Sequence, residues 1–348
     1  MKAPEDAPAV EPRDRLDAAV DPEDGATTEG ESARRAWGKY VLGMAVVGLI
    51  AVVAGQDAYW ATLFTGALLY AGLASAWNIL GGFGGQFSFG HAAFFGIGAY
   101  SVALPQVRLG WAPWPVLVVG VALAGLLAAA IAWPIFRRRG PFFAIATLAI
   151  SAVVLSLANY LTFTGGSRGV TIPFEDVLFV EPASYLAMMF CYSAVVVAVA
   201  LAVLRSRLGY RLRAVRDDDE AARAVGINPL AVKTAAHVLS AMLTAIGGGL
   251  FTMYIGFIDP ASVFNLAEIS VRLPLLALLG GIGTVSGPVI GALIVQPGAD
   301  YLRGEFGAVA PGLHLVMLGA LLILFALFFK RGVRGAVDTF WRRRDRRR

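Results

Sequence analysis

From Tyr40 to Phe329 the chain is a succession of apolar runs. A hydrocarbon core about 30 Å thick needs about 20 apolar residues per helical crossing, and most of these runs approach or exceed that length. They define an all-α, polytopic integral membrane protein with about ten crossings, eight to ten in all. Composition agrees. Of 348 residues, 57% are hydrophobic and 15% charged, against roughly 25% charged in soluble domains. The net charge of +5 sits mostly at span ends and in the tail, so it does not point to nucleic acid. Cys191 is the single cysteine, inside an apolar run; an internal disulfide is impossible, and a small buried hydrophobe is the expectation.

Taken in order, residues 1–36 are acidic, Ala- and Pro-rich and without apolar period, and read as a disordered tail. This leader is too long and too acidic for a cleaved signal peptide. A transmembrane domain follows over 37–330, and a basic tail over 331–348. Spans are expected at about 40–55, 59–80, 115–136, 142–163, 184–204, 230–257, 269–282, 285–301 and 311–329. A further one emerges from the glycine-rich passage Gly81–Gly98 and ends near Leu104. The third, eighth and ninth are short and read as broken or re-entrant. Arg34, Arg35 and Lys39, Arg137–Arg139, the 205–230 connection and the Arg-rich tail all fall on one side after ten crossings. The positive-inside rule makes that side cytoplasmic, with both termini inside.

Arg205–Leu230 is a charged island between two apolar runs. Asp217 is placed to cap a short helix with Glu220 as its third residue, the reciprocal arrangement of a capping box. Acids fill the first turn, where the helix dipole favours them. Gly226 is placed to end the helix at C′, and Pro229 forbids a long continuation. Such a helix, about two turns and on the order of 12 Å long, is unstable alone in water and needs a surface to dock against.

Asn78–His91 is the most unusual apolar segment, with four glycines in five positions. Each costs a helix roughly 1 kcal/mol relative to alanine. Unwound backbone in a bilayer survives only where protein or water surrounds it. Two readings stand together: a translocation path lined by Asn78, Gly84, Gly85, Gln86, Ser88, Gly90 and His91, and close helix packing through small residues four apart, Gly81 with Gly85 and Gly287 with Gly291. The glycines near 81–96 find a weak echo near 280–291, as in transporters built from two repeats. His91 reads either as a hydrogen-bonded structural residue or as a proton carrier or gate. Glu268 and Arg272, four apart, are expected to pair with each other and hold the helix end, with a substrate role as the alternative. His237 and His314 have no metal-ligand spacing, and no metal site is expected. GxxxxGK[ST], HExxH and CxxC are absent, and the one GxSxG string, Gly165–Gly169, falls in a polar loop rather than at a nucleophile elbow, so the chain carries no signature of ATP hydrolysis or covalent catalysis.

Several of these segments resemble one family, the LivM-type inner-membrane permeases of branched-chain amino acid ABC importers. They are Asn78–Tyr100, Arg139–Ala149, Thr164–Val170 with Ile172 and Pro173, Arg216–Asn228 and Leu278–Ala292. Glu220, Ala221, Ala222 and Gly226 stand where ABC permeases carry the EAA and glycine of their ATPase-coupling loop. The resemblance implies a bacterial inner-membrane subunit that works with a second, LivH-type permease, two ATP-binding cassette subunits holding ATP and magnesium, and a periplasmic binding protein. It implies no cofactor in this chain. It implies that Arg213, Arg216 and Glu220 contact the ATPase, with Ala221 and Ala222 permitting close approach. Related permeases also serve urea, other amino acids and aromatic acids, so the substrate stays open. Arg272 departs from the family, which usually has an apolar residue there. The rival readings are a secondary transporter using His91 or Asp300 and a membrane-embedded enzyme.

Overall fold

The computed structural model describes residues 22–136, 142–306 and 319. It is helical almost throughout. α1 (Pro22–Ala54), α2 (Ala58–Asn78), α3 (His91–Leu109), α4 (Pro113–Phe136), α5 (Phe142–Tyr160), α6 (Pro182–Arg205), α7 (Arg207–Asp217), α8 (Asp219–Ala224), α9 (Pro229–Ile255), α10 (Pro260–Val263), α11 (Arg272–Gly280) and α12 (Gly287–Phe306) follow in order. Among the described residues, seven helical stretches are long and apolar enough to cross a membrane: Ala36–Ala54, Ala58–Phe83, Pro113–Phe136, Phe142–Tyr160, Pro182–Arg205, Pro229–Ile255 and Pro260–Gly280. α3 and α12 have the length without the sustained hydropathy. The expected last span at 311–329, the basic tail and Arg137–Arg139 lie outside the described residues.

The first helix reaches back into the acidic tail. α1 begins at Pro22, inside the segment read as disordered. Proline is tolerated at a first helical position, and the Ala-, Glu- and Arg-containing stretch that follows has adequate helix propensity to extend the apolar span backwards. The chain divides into two compact units with the boundary inside α1, between Val47 and Gly48. In the first, the described part is the α1 segment up to Val47.

In the second unit, α9 packs on α3 and α4, while α2 packs on α6 and α12. Small residues make this possible. Phe94 of α3 fills a pocket of Ala124 and Ala128 from α4 and Ala241 and Ala245 from α9. A Cβ on Gly98 would strike the carbonyl of Ala245, and one on Gly248 the carbonyl of Phe95, so α3 and α9 meet backbone to backbone. Gly291 does the same against the Leu276 carbonyl of α11, and Gly287 against the Gly281 carbonyl just past its end. The expected pair Gly81 and Gly85 does not: Gly81 is covered by the ring of Trp77 and Gly85 by the stem of Arg216.

A two-residue antiparallel bridge, β1 (Val170–Thr171) with β2 (Phe257–Ile258), pairs Val170 with Ile258 and Thr171 with Phe257. It joins the connection after α5 to the end of α9. Gln106 near the end of α3 donates to the Asp176 carbonyl at 2.8 Å. These connections therefore share one end of the helical stack, and α7 and α8 occupy the other.

Candidate functional site

Two helices break at the α7–α8 end. α2 loosens into a π-helical turn over Ile79–Phe83, and the chain then runs irregularly to His91. A second π-helical segment, Leu266–Val271, leads into α11, which ends at Gly280 before the irregular stretch that precedes α12. Both glycine-rich breaks expected from the sequence are thus present, and they meet. Asn78 is buried, donates through Nδ2 to the Thr284 carbonyl at 2.9 Å, and accepts at Oδ1 from the Gly283 N–H at 2.9 Å. One side chain supplies the hydrogen bonds that the broken α11–α12 backbone has lost. In a bilayer those groups have no water to turn to.

The first break is satisfied in the same way. Trp77 Nε1 donates to the Ser88 carbonyl at 2.9 Å, and Ser88 Oγ accepts from Gly90 N–H at 3.1 Å. From α5, Thr147 Oγ1 accepts from Phe89 N–H at 3.0 Å, and Ser151 Oγ donates to the Phe89 carbonyl at 3.2 Å. Ser270 Oγ accepts from Ala92 N–H at 2.9 Å. Thr147, Ser151 and Ser270 were not singled out from the sequence. Their signal is a lone hydroxyl in an otherwise apolar helix, which must find a partner.

His91 is fully buried. Its Nε2 lies 2.8 Å from Ser240 Oγ, and that hydroxyl is 2.7 Å from the Ala76 carbonyl. A serine has one proton to give. Donated to Ala76, it leaves Ser240 Oγ to accept from His91 Nε2–H, so His91 ties α2, α3 and α9 together. The hydrogen bond is what the structural reading of His91 requires. Of the remaining path candidates, Gly84, Ser88 and Gly90 are buried, while Gly85 and Gln86 are partly exposed.

The charged connection forms two helices where one was expected. Ser206 caps α7, accepting from Leu208 and Gly209 N–H. Gly209, Leu212 and Val215 form its buried stripe. α8 is capped by Asp218, not Asp217: Asp218 Oδ1 accepts from Glu220 N–H at 2.7 Å and Ala221 N–H at 3.1 Å. Glu220 thereby becomes the second residue of the helix, and the capping box does not form. The reason is that α7 continues through Asp217. These two N–H donors, Ala221 first and Glu220 second, hold the Asp218 carboxyl below the usual carboxylate range. The other end of α8 is as expected. Gly226 has φ +82°, its N–H donates to the Arg223 carbonyl, and Ile227 N–H donates to the Ala222 carbonyl at 3.0 Å, the pair of bonds of a Schellman motif.

Side chains divide between two directions. Arg216 Nη1 donates to the Gly82 carbonyl at 2.7 Å, inside the first break, and Gly283 of the second break lies alongside that guanidinium. Leu212 sits against Gly84. Arg213 folds back over the Tyr210 ring, 4.7 Å from its centroid, and toward the carbonyls of Leu204 and Gly209. Of the two alanines expected to permit close approach, Ala222 is buried and Ala221 is exposed. Lys233, in the first turns of α9, pairs with Asp219 at 2.6 Å and holds α8 against α9. A lone lysine in an apolar helix demands such a partner.

The glycine-rich segments, the break geometry and the short capped helix all fall within residues 58–326. Over that range the chain matches the sequence model of the family described as branched-chain amino acid transport system / permease component. The chain belongs to this permease family. Its relatives include the high-affinity branched-chain amino acid transport system permease protein LivM of Escherichia coli K12, 28% identical over 298 residues, 76% of this chain and 68% of LivM. LivH of Salmonella typhimurium is 28% identical over 305 residues, 80% of this chain and 96% of LivH. BraD of Pseudomonas aeruginosa is 29% identical over 181 residues, 52% of this chain and 54% of BraD. No solved structure matches. The permease is a multi-pass membrane protein with an all-α fold.

Proposed function

We propose that this permease is one of two membrane subunits through which an ATP-driven importer takes branched-chain amino acids into a bacterial cell. Its partners are a LivH-type permease, two ATP-binding cassette subunits that hold ATP and magnesium, and a periplasmic binding protein. It lies in the inner membrane with α7, α8 and both termini in the cytoplasm, and it contributes no cofactor of its own. α8 is the docking piece, with Glu220, Ala221 and the Gly226 turn toward the ATPase and Arg213 beside them.

The observation that carries this reading is the hydrogen bond from Arg216 to Gly82. A docking helix matters only if its displacement reaches the transport path. Movement of α8 is transmitted to α9 through Asp219 and Lys233, and movement of α7 to both helix breaks through Arg216, Leu212 and Asn78. ATPase closure then rocks α2 and α12, which the breaks join.

In a Cys191→Ser background, a thiol crosslinker at Ala221→Cys captures the nucleotide-hydrolysing subunit. Arg216→Ala retains that crosslink and lowers leucine uptake at least ten-fold. Leucine uptake by vesicles holding the purified chain alone, driven by an ion gradient, would overturn the reading.

A further inference from the structure

A second polar constellation lies away from α8. Arg272 pairs with Glu268. Arg303 lies 3.8 Å from Glu268 and 3.7 Å from Asp300. Gln296 Nε2 donates to Asp300 at 2.9 Å. From α2, the Tyr70 ring lies 5.1 Å beneath the Arg272 guanidinium, and its hydroxyl donates to the Glu268 carbonyl at 3.3 Å. Three elements thus bring two acids, two arginines and a tyrosine together with no net charge.

Its depth follows from helix arithmetic. Tyr70 stands near the middle of the 26-residue stretch Ala58–Phe83 and Arg272 near the middle of Pro260–Gly280. Asp300 lies thirteen residues past Gly287, about 20 Å from the α8 end. The group therefore occupies the middle of the bilayer and the part beyond it, farther from α8. Charges at that depth face a protein interior or a water-filled cavity. Yet the Arg303, Glu268 and Asp300 side chains are 47, 35 and 24% exposed on this chain. Arg303 also has donors to spare, because both its ion-pair contacts are longer than hydrogen bonds. The π-helical turn that carries Glu268 is itself a geometry frequent at functional sites.

We propose that this face lines a transit site for the head group of a free α-amino acid. The substrate carboxylate accepts from Arg303, and its ammonium group donates to Asp300 and Glu268, while Arg272 and Tyr70 hold Glu268 in place. A neutral zwitterion matches a neutral constellation that offers both signs within one side-chain length. The inference rests on the importer reading above and adds to it where the head group passes.

The test uses the complete transporter in cells, with radiolabelled leucine as probe. Asp300→Asn and Arg303→Gln each lower leucine uptake at least ten-fold while the chain still co-purifies with its partner subunits. In a Cys191→Ser background, Arg303→Cys reacts with a water-soluble thiol reagent, as a position in a wet path does and a lipid-facing one does not. Uptake within two-fold of wild type in both variants, or a cysteine at 303 that the reagent never reaches, overturns the site and leaves the importer reading standing. A wild-type transporter that carries no amino acid removes both.

Discussion

Asn78 shows how much one side chain settles here. Its amide offers a donor and an acceptor, and Thr284 and Gly283 take both. Asn78→Leu keeps the branching of the side chain and removes both bonds, leaving a buried N–H and C=O unpaired. Each such group costs about 1–3 kcal/mol. The melting temperature in detergent is therefore expected to fall, and leucine uptake with it. Gly82→Ala attacks the same joint from the other side, since a Cβ there would strike Asn78 Oδ1. An unchanged melting temperature in Asn78→Leu would show that water replaces the amide. None of this geometry was legible in the sequence. Asn78 was a candidate because it opened an unusual segment, but its partners lie more than 200 residues away. The pairing of Glu268 with Arg272 was legible, because a helix brings residues four apart together whatever surrounds it.

Among the elements, α8 is where local signals succeed and then slip by one residue. Its end at Gly226 could be read in advance because a left-handed cap needs a residue without Cβ. Its start could not, because Asp217, Asp218 and Asp219 are all able to cap. The choice is made by α7, whose length follows from burying Leu212 and Val215, a long-range event. The same event turns Arg216 inward. The cap carries a pH signature. Asp218 has a carboxyl held below its ordinary value by two N–H donors that the unfolded segment lacks. Its contribution is therefore complete above the ordinary carboxylate value near pH 4, declines below it, and is gone once pH has fallen through the depressed value. A spin label at Ala224→Cys in a Cys191→Ser background reports it. Mobility should stay constant between pH 6 and 8 and rise only below about pH 4. Asp218→Asn, which retains an accepting oxygen, should abolish that acid-side rise.

Across the molecule, the helices of the second unit run between two ends with different chemistry. One end gathers the Arg-rich α7, α8 and both glycine breaks. The other gathers the β1–β2 bridge, the connection after α5 and the turn between α1 and α2. The second assignment follows from connectivity. α9 starts beside α8 and finishes at the bridge, and α2 reaches Gly82 at the α8 end, so its start at Ala58 lies opposite. Sidedness is then testable with single cysteines in a Cys191→Ser background. Gln56, Arg168 and Ala224 are all exposed. With the arginines of α7 on the cytoplasmic side, a membrane-impermeant maleimide should label Gln56→Cys and Arg168→Cys in intact cells. Ala224→Cys should react only in inverted vesicles. Labelling of positions 168 and 224 from the same side would mean that α9 does not cross. It would also undercut the proposed coupling, because α9 links Lys233 at the α8 end to Ser240, the residue hydrogen-bonded to His91.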